Sequence, residues 1–268
     1  MKNRRAWKLA LVTGAASGIG LCYCKELAAQ GVALVMVDRN PMEEAVAALG
    51  PEARCRTLRL DLTDPDAVDR IMDYLGQERL CPDLLINNAG IFDFDEVVNL
   101  PERRIALYID LHVRAVTMLT RRMAMMMAAG GGGTILNMSS MSCWMPMPGI
   151  AMYSATKSYI RTFSRAIAVE LSGTGVSVTV ACPGGIATDL FGLPRNLQHL
   201  GVRLGALMTS DRFVRKALMA AAKGRRQYIN GWLNRLAIVA VGGMPDWARI
   251  FVKNSILSRY GATARAGK

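Results

Sequence analysis

The chain has 268 residues, 51% of them hydrophobic, which is enough apolar material for one sizeable core. Its net charge of +12 is unevenly placed: residues 1–190 carry 19 basic and 19 acidic side chains, whereas residues 191–268 carry 14 basic ones against Asp211 and Asp246. No apolar run reaches membrane-spanning length, and no linker, repeat or low-complexity tract divides the chain, so a transmembrane protein and a string of modules are both excluded.

The elements follow from patterning, taken in chain order. Lys2, Arg4, Arg5 and Lys8 lead directly into a strand without an apolar h-region, so no signal peptide is expected. Residues 9–12 form a short apolar run of the buried-strand kind, followed by Thr13-Gly14-Ala15-Ala16-Ser17-Gly18-Ile19-Gly20. A helical pattern comes next, with Leu21, Cys24, Leu27 and Ala28 on one face and Gly31 as its stop. Further strands are expected at 32–37, 56–60, 84–86, 134–138 and 177–181, with a last one in Gln227-Tyr228-Ile229-Asn230-Gly231. Long helices are expected at 103–129 and 151–171, and Gly130 to Gly133 stop the first of them. Strands alternating with helix-length segments imply right-handed βαβ units. The fold class is therefore α/β: one Rossmann-type, doubly wound parallel sheet of about seven strands with helices on both faces.

The domain reading is a single domain over 1–268, with a substrate-loop region at 189–225 and a helical extension at 232–260. In the extension Trp247, Ile250, Phe251 and Leu257 recur at helical spacing among Arg249, Lys253 and Arg259. That pattern fits a basic amphipathic helix on a membrane surface, or equally a lid or dimer element. The basic excess reads either as a solvated surface or as attraction to an anionic substrate, carrier protein or lipid surface. The six cysteines (Cys22, Cys24, Cys55, Cys81, Cys143 and Cys182) lack paired metal spacing and read as reduced, buried thiols of a cytoplasmic protein.

Two constellations carry chemistry. Strand, glycine turn and helix N-terminus together make an anion site, because free N–H groups and the positive end of the helix dipole face a pyrophosphate. Asp38, ending the second strand, stands where an acidic group binds a ribose 2′-hydroxyl. Farther on, Tyr153 and Lys157 lie four apart on one helix face, with Ser140 thirteen positions before the tyrosine. An ammonium beside a phenol favours the phenolate, so a lowered Tyr153 pKa is expected. Such a set moves one proton on or off an alcohol or carbonyl oxygen.

Together with Asp61, Asn87-Asn88-Ala89-Gly90 and Pro183-Gly184-Gly185-Ile186-Ala187-Thr188, these pieces resemble the short-chain dehydrogenase/reductase family in order and spacing over residues 9–190. The resemblance implies that Tyr153 is the general acid/base. It implies that Lys157 bonds the nicotinamide ribose and that Ser140 orients the substrate oxygen. Gly14, Ser17, Gly18, Ile19 and Gly20 line the pyrophosphate and adenosine path, and Asp61 with Leu62 meets the adenine. Asn88 steadies the central strands while Ala89 and Gly90 pass the cofactor, as do Pro183 and Gly184. Ile186 and Thr188 contact the carboxamide. In this family the helices at 103–129 and 151–171 also form the main subunit interface, so a homodimer or homotetramer is implied. The Met-rich stretch 118–127 fits that interface and fits core packing equally.

One departure stands out. Where the family often has an Asn-Leu-x-Gly-like stretch, this chain reads Asp110-Leu111-His112-Val113. Asp110 offers the same backbone carbonyl to a water on the Lys157 proton path, and its added charge would retune the site; it is kept as a catalytic candidate. His112 reads as a helix residue rather than a catalyst.

Asp38 favours NAD over NADP as cofactor, while Arg39 either attracts a 2′-phosphate or stacks on adenine. The interval 141–152 holds no charged residue, and Leu190, Phe191, Leu193 and Leu197 follow with Arg195 and His199. A hydrophobic alcohol or ketone substrate is expected, first a hydroxysteroid, bile acid or similar lipid, by weak similarity of the tail to hydroxysteroid dehydrogenase-like members. Neither nucleic acid nor metal is expected, and peripheral membrane contact through the basic tail is kept open. The alternatives are a 3-oxoacyl thioester reductase docking an acidic acyl carrier protein, and a non-catalytic nucleotide-sensing or lipid-surface binding protein.

Overall fold

A computed structural model describes residues 7–187 and 208–257. Thr188, Leu190, Phe191, Leu193, Arg195, Leu197 and His199, and the end of the expected extension at 258–260, lie outside the described residues. The elements run β1 (Leu9–Thr13), α1 (Gly18–Ala28), β2 (Ala33–Asp38), α2 (Glu43–Ala47), β3 (Cys55–Arg59), α3 (Ala67–Gln77) and β4 (Leu84–Asn87). Then come α4 (Glu102–Ile109), a π-helical segment (Asp110–Ala115), α5 (Val116–Ala129), β5 (Gly133–Met138), a 3₁₀ turn (Met141–Trp144) and α6 (Ala151–Glu170). The rest are β6 (Val176–Cys182), β7 (Ile186–Ala187), β8 (Met208–Thr209), α7 (Ser210–Ala222), β9 (Gln227–Ile229), α8 (Trp232–Gly242) and α9 (Asp246–Val252).

Seven strands form one sheet in the order β3-β2-β1-β4-β5-β6-β9, and every pairing is parallel. Side chains alternate across it. Ala10, Val12, Leu34, Met36, Leu84, Ile86, Leu136 and Met138 pack with α1 and α7 on one face. Leu11, Val35, Val37, Leu85, Ile135 and Val178 pack with α3, α5 and α6 on the other. Apolar side chains on both faces explain why the strands read as continuous apolar runs. The turn between β1 and α1 and the loops after β4, β5 and β6 all emerge at the carboxyl edge of this sheet, where ligands bind in open α/β folds.

Several expectations need correction. The segment 189–225 is not loop throughout: α7 is a core helix, with Phe213, Val214 and Ala217 fully buried against α1. The expected helix over 103–129 is interrupted, because one turn widens into the π segment at Asp110–Ala115. The second strand begins at Ala33, since the Val32 N–H is taken by Leu27 O at the end of α1. Of the six cysteines, none in a disulfide, Cys24 and Cys182 are buried while Cys81 is exposed. In the Met-rich stretch Met123 and Met127 are core residues, whereas Met118 and Met125 face outward.

Candidate active site

The glycine turn is built around the Thr13 hydroxyl, 1% exposed, which donates to Ile86 O on β4 and accepts the N–H groups of Asn88 and Ala89. Asn88 returns the link, its amide donating to the carbonyls of Thr13 and Gly14 at 3.0 and 3.2 Å. The turn is thereby tied to the loop after β4. Gly14 has φ +66°, and a Cβ there would stand 2.8 Å from Ala89 Cα, so only glycine fits. Gly20 packs directly beneath the Gly14 carbonyl, which makes it a packing glycine rather than a wall of the cleft. Gly18, with φ +55°, has open space where a side chain would project.

A cleft of about 770 Å³ runs along this edge of the sheet. Gly14, Ser17, Gly18 and Ile19 form its floor, with Asp38, Arg39, Asp61 and Leu62 at one end. Asn88, Ala89 and Gly90 form one wall, and Ser140, Tyr153, Lys157, Pro183 and Gly184 close the other end. Asp38 accepts from the Ala16 N–H at 3.0 Å and the Asn40 N–H at 2.9 Å, which holds its carboxylate over the turn. Arg39 reaches toward Asp61, 4.0 Å away, with more than half its side chain exposed. Of the residues expected at the carboxamide, Ile186 is placed only as backbone in β7, and Thr188 is outside the described residues.

At the far end, α6 presents Tyr153 and Lys157 while the strand end after β5 presents Ser140. The tyrosine and lysine are 6% and 4% exposed. Lys157 Nζ donates to Met138 O at 3.0 Å and lies 5.6 Å from the centre of the Tyr153 ring. Ser139 is spent on structure, its hydroxyl donating to Lys157 O at 2.7 Å, whereas Ser140 Oγ bonds toward Tyr153 and accepts the Ser142 N–H. Behind these groups a buried polar chain ties the strands to the helix. Asn87 Nδ2 donates to Asn137 Oδ1 at 2.8 Å, Asn137 Nδ2 to Ser164 Oγ at 2.9 Å, and Ser164 to Ile160 O within α6. Each link would be costly to leave unmade in this interior.

The expected lowering of the Tyr153 pKa is not what this cleft does. Burial pushes the phenol up to about 12, with the Ser140 hydrogen bond pulling only partly the other way. Burial also brings the Lys157 ammonium down to about 8. Desolvation disfavours both charges and is the largest influence on each. The Asp110 carboxylate pairs with Arg114 Nε at 3.1 Å, and Arg114 donates onward to Thr63 O. Asp110 is not among the residues that line the cleft, and its charge is paired with Arg114.

His112 was passed over in the sequence and proves to be fully buried beside the cleft. Its Nε2 accepts the Ile91 N–H at 3.1 Å, and its Nδ1 lies 2.9 Å from Thr156 Oγ1. A lone histidine at helical spacing carries no signal that sets it apart from a core residue.

Residues 8–196 match the short chain dehydrogenase family. The chain belongs to this family. Among curated relatives of this short-chain dehydrogenase, the cyclopentanol dehydrogenase of Comamonas sp. (strain NCIMB 9872) is 33% identical over 186 residues, covering 68% of this chain and 74% of that one. The inactive hydroxysteroid dehydrogenase-like protein 1 of Homo sapiens is 27% identical over 257 residues, 93% of this chain and 76% of its own. A solved 7beta-hydroxysteroid dehydrogenase superposes with a TM-score of 0.80 at 25% identity, covering 92% of this chain and 97% of that one.

Proposed function

We propose that this short-chain dehydrogenase interconverts a secondary alcohol and a ketone on a hydrophobic substrate, a hydroxysteroid, bile acid or similar lipid, with NAD(P) as hydride carrier and NAD preferred. The observation that carries the reading is the meeting of Ser140, Tyr153 and Lys157 at one end of the cleft whose other end is the glycine turn and Asp38. The residues suit a dinucleotide: Gly14 lets the loop after β4 close on the turn, Gly18 leaves the backbone open to close approach, and the N-terminus of α1 offers unsatisfied N–H groups to a pyrophosphate. When bound, that group supplies or accepts the hydride. Ser140 orients the substrate oxygen, Tyr153 gives or takes its proton, and Lys157 stabilises the phenolate form. Asp38 accepts from a ribose diol and repels a 2′-phosphate.

The names of relatives, a cyclopentanol dehydrogenase and a 7beta-hydroxysteroid dehydrogenase, support an apolar alcohol substrate, and the intact Ser140, Tyr153 and Lys157 weigh against a non-catalytic role. The decisive test is a panel of hydroxysteroids, bile acids and cycloalkanols with a 3-oxoacyl thioester as contrast, run with both NAD and NADP while following absorbance of the reduced nicotinamide. Turnover of a hydroxysteroid faster with NAD is expected. Absence of turnover on every alcohol and ketone sinks the reading, and NADPH-dependent reduction of the thioester alone replaces it with the acyl carrier protein reductase.

Self-association through α5 and α6 belongs to the same reading, supported by the outward Met118, Met125, Tyr159 and Val169. So does contact with a lipid surface. On α8, Trp232, Leu236 and Val239 are 70%, 58% and 74% exposed at i, i+4 and i+7, and Trp247 and Phe251 of α9 are similarly bare. Large exposed apolar patches mark interaction sites, and the basic excess of residues 191–268 selects an anionic bilayer as the partner. No helix among the described residues is long and apolar enough to cross a membrane. Sedimentation with phosphatidylserine-containing vesicles is expected to capture the protein more than neutral vesicles do, with V239D lowering the bound fraction about fivefold. Equal, negligible capture by both kinds of vesicle contradicts the lipid surface.

A further inference from the structure

Resting on the oxidoreductase reading, we infer that His112 is a positioning residue, tying the Gly90–Ile91 wall of the cleft to the turn of α6 that presents Tyr153 and Lys157. Its two ring nitrogens serve two different elements. Nε2 accepts the Ile91 N–H at 3.1 Å, so this nitrogen carries no proton. The proton therefore sits on Nδ1 and is donated to Thr156 Oγ1, 2.9 Å away. The Thr156 hydroxyl in turn donates to Met152 O and Tyr153 O, at 2.9 and 3.1 Å, inside the first turns of α6. A continuous chain of hydrogen bonds thus runs from the loop after β4, through one imidazole, to the backbone of the tyrosine.

The geometry around the imidazole leaves it little freedom. A Cβ on Gly90 would stand 3.0 Å from His112 Nε2 and 3.4 Å from Lys157 Nζ, so glycine there lets wall, imidazole and ammonium close on one another. Tyr108 meets the ring edge-on at 5.4 Å, and Tyr153 does so at 6.2 Å. His112 lies in the π segment, and a widened turn of this kind is often found at functional sites. The charged and titratable groups facing it are Lys157, Arg104, Tyr108 and Tyr153. Burial and the two cations hold its pKa well below the ordinary histidine range, so the imidazole stays neutral with its acceptor nitrogen available. Protonation would remove the acceptor and cut the tie to Ile91.

Three variants and one spectrum test this. His112→Leu keeps bulk and removes both bonds; kcat per cofactor-binding site is expected to fall about 10- to 100-fold, with the Michaelis constant for the alcohol changing less than about threefold. The pH midpoint of kcat should move upward as an apolar neighbour further disfavours the phenolate, a change that a merely structural residue would not cause. His112→Gln, which can accept from Ile91 and donate to Thr156, should recover most of the rate. Thr156→Val cuts only the far end and is expected to cost about threefold or more. A folded His112→Leu within about twofold of wild type, or an unchanged Thr156→Val where His112→Leu does not fold, overturns the role. The chain has only two histidines, so His199→Gln assigns the imidazole ¹⁵N spectrum of the cofactor-free protein. A proton fixed on Nδ1 from pH 5 to 9 is expected, and an Nε2-bound proton or a midpoint near 6.5 overturns the tie even if no substrate is found.

Discussion

Replacing Tyr153 with Phe is expected to lower kcat by roughly 10²- to 10⁴-fold while leaving cofactor affinity nearly unchanged. The substitution removes one oxygen from a side chain that is already 6% exposed and packed edge-on against Phe92 at 5.0 Å, so the ring keeps its place. What disappears, on the proposed reading, is the group that gives or takes the proton, together with its interaction with Ser140. Because burial holds the phenol at about 12 in the free protein, the wild-type enzyme needs the positive charge of Lys157, and of the oxidised carrier when bound, to work near neutrality. The rate should therefore rise with pH in the oxidation direction for wild type and lose that dependence in Y153F. Steady-state rates from pH 6 to 10, with cofactor affinity measured separately by fluorescence, check this. A Y153F whose kcat and pH dependence match wild type would remove the proton-transfer role.

Lys157→Met should abolish activity and yet stabilise the protein without cofactor. Lys157 is charged in the unfolded chain up to about pH 10.5, whereas burial brings its folded pKa down to about 8. Below pH 8 both states hold the proton, and the cost of burying it, about 3 kcal/mol, is fully present. Between about 8 and 10.5 the unfolded chain binds more protons, so the wild type gains stability as pH rises, and the cost has gone by about 10.5. Met keeps the length and apolar stem without the charge. K157M is therefore expected to exceed wild type by about 3 kcal/mol at pH 7, with the advantage shrinking above pH 8. The raised pKa values of Cys22, Cys24 and Tyr23 act in the opposite direction, but they are common to both proteins and cancel in the difference. Urea unfolding at pH 7 and 9.5 checks the sign. A K157M less stable than wild type at pH 7 would show that the Met138 carbonyl bond compensates the charge more than burial penalises it.

These outcomes depend on quantities that a sequence carries unevenly. The sheet was legible because its strands are short apolar runs between helical periods, and the glycine turn because Gly14 and Gly20 sit at spacings that few other structures need. Strand ends were less so: Val32 is as apolar as Ala33, and only the bond from its N–H to Leu27 O shows that it closes α1. The single period through 103–129 conceals the π segment, since one widened turn leaves the apolar spacing nearly intact. The ion pair of Asp110 with its i,i+4 neighbour Arg114 was legible from spacing but was passed over in favour of the motif. The Tyr153 pKa could not be read from neighbours at all, because it is set by how much water reaches the phenol. Nor could His112 be found, because its partners, Ile91 N–H and Thr156 Oγ1, lie 21 and 44 residues away in the chain.

Many of the bonds that hold the cleft end on peptide atoms. Lys157 Nζ reaches Met138 O, Ser139 Oγ reaches Lys157 O, Thr13 Oγ1 reaches Ile86 O, and the Asn88 amide reaches the carbonyls of Thr13 and Gly14. A peptide oxygen is present whatever side chain its residue carries. Met138 and Ile86 can thus be exchanged for other apolar residues over generations without releasing the groups that lean on them. Lineages on this scaffold are free to reshape other walls of the cleft while the end formed by Ser140, Tyr153 and Lys157 stays put, which suits a superposition at a TM-score of 0.80 with only 25% of residues shared.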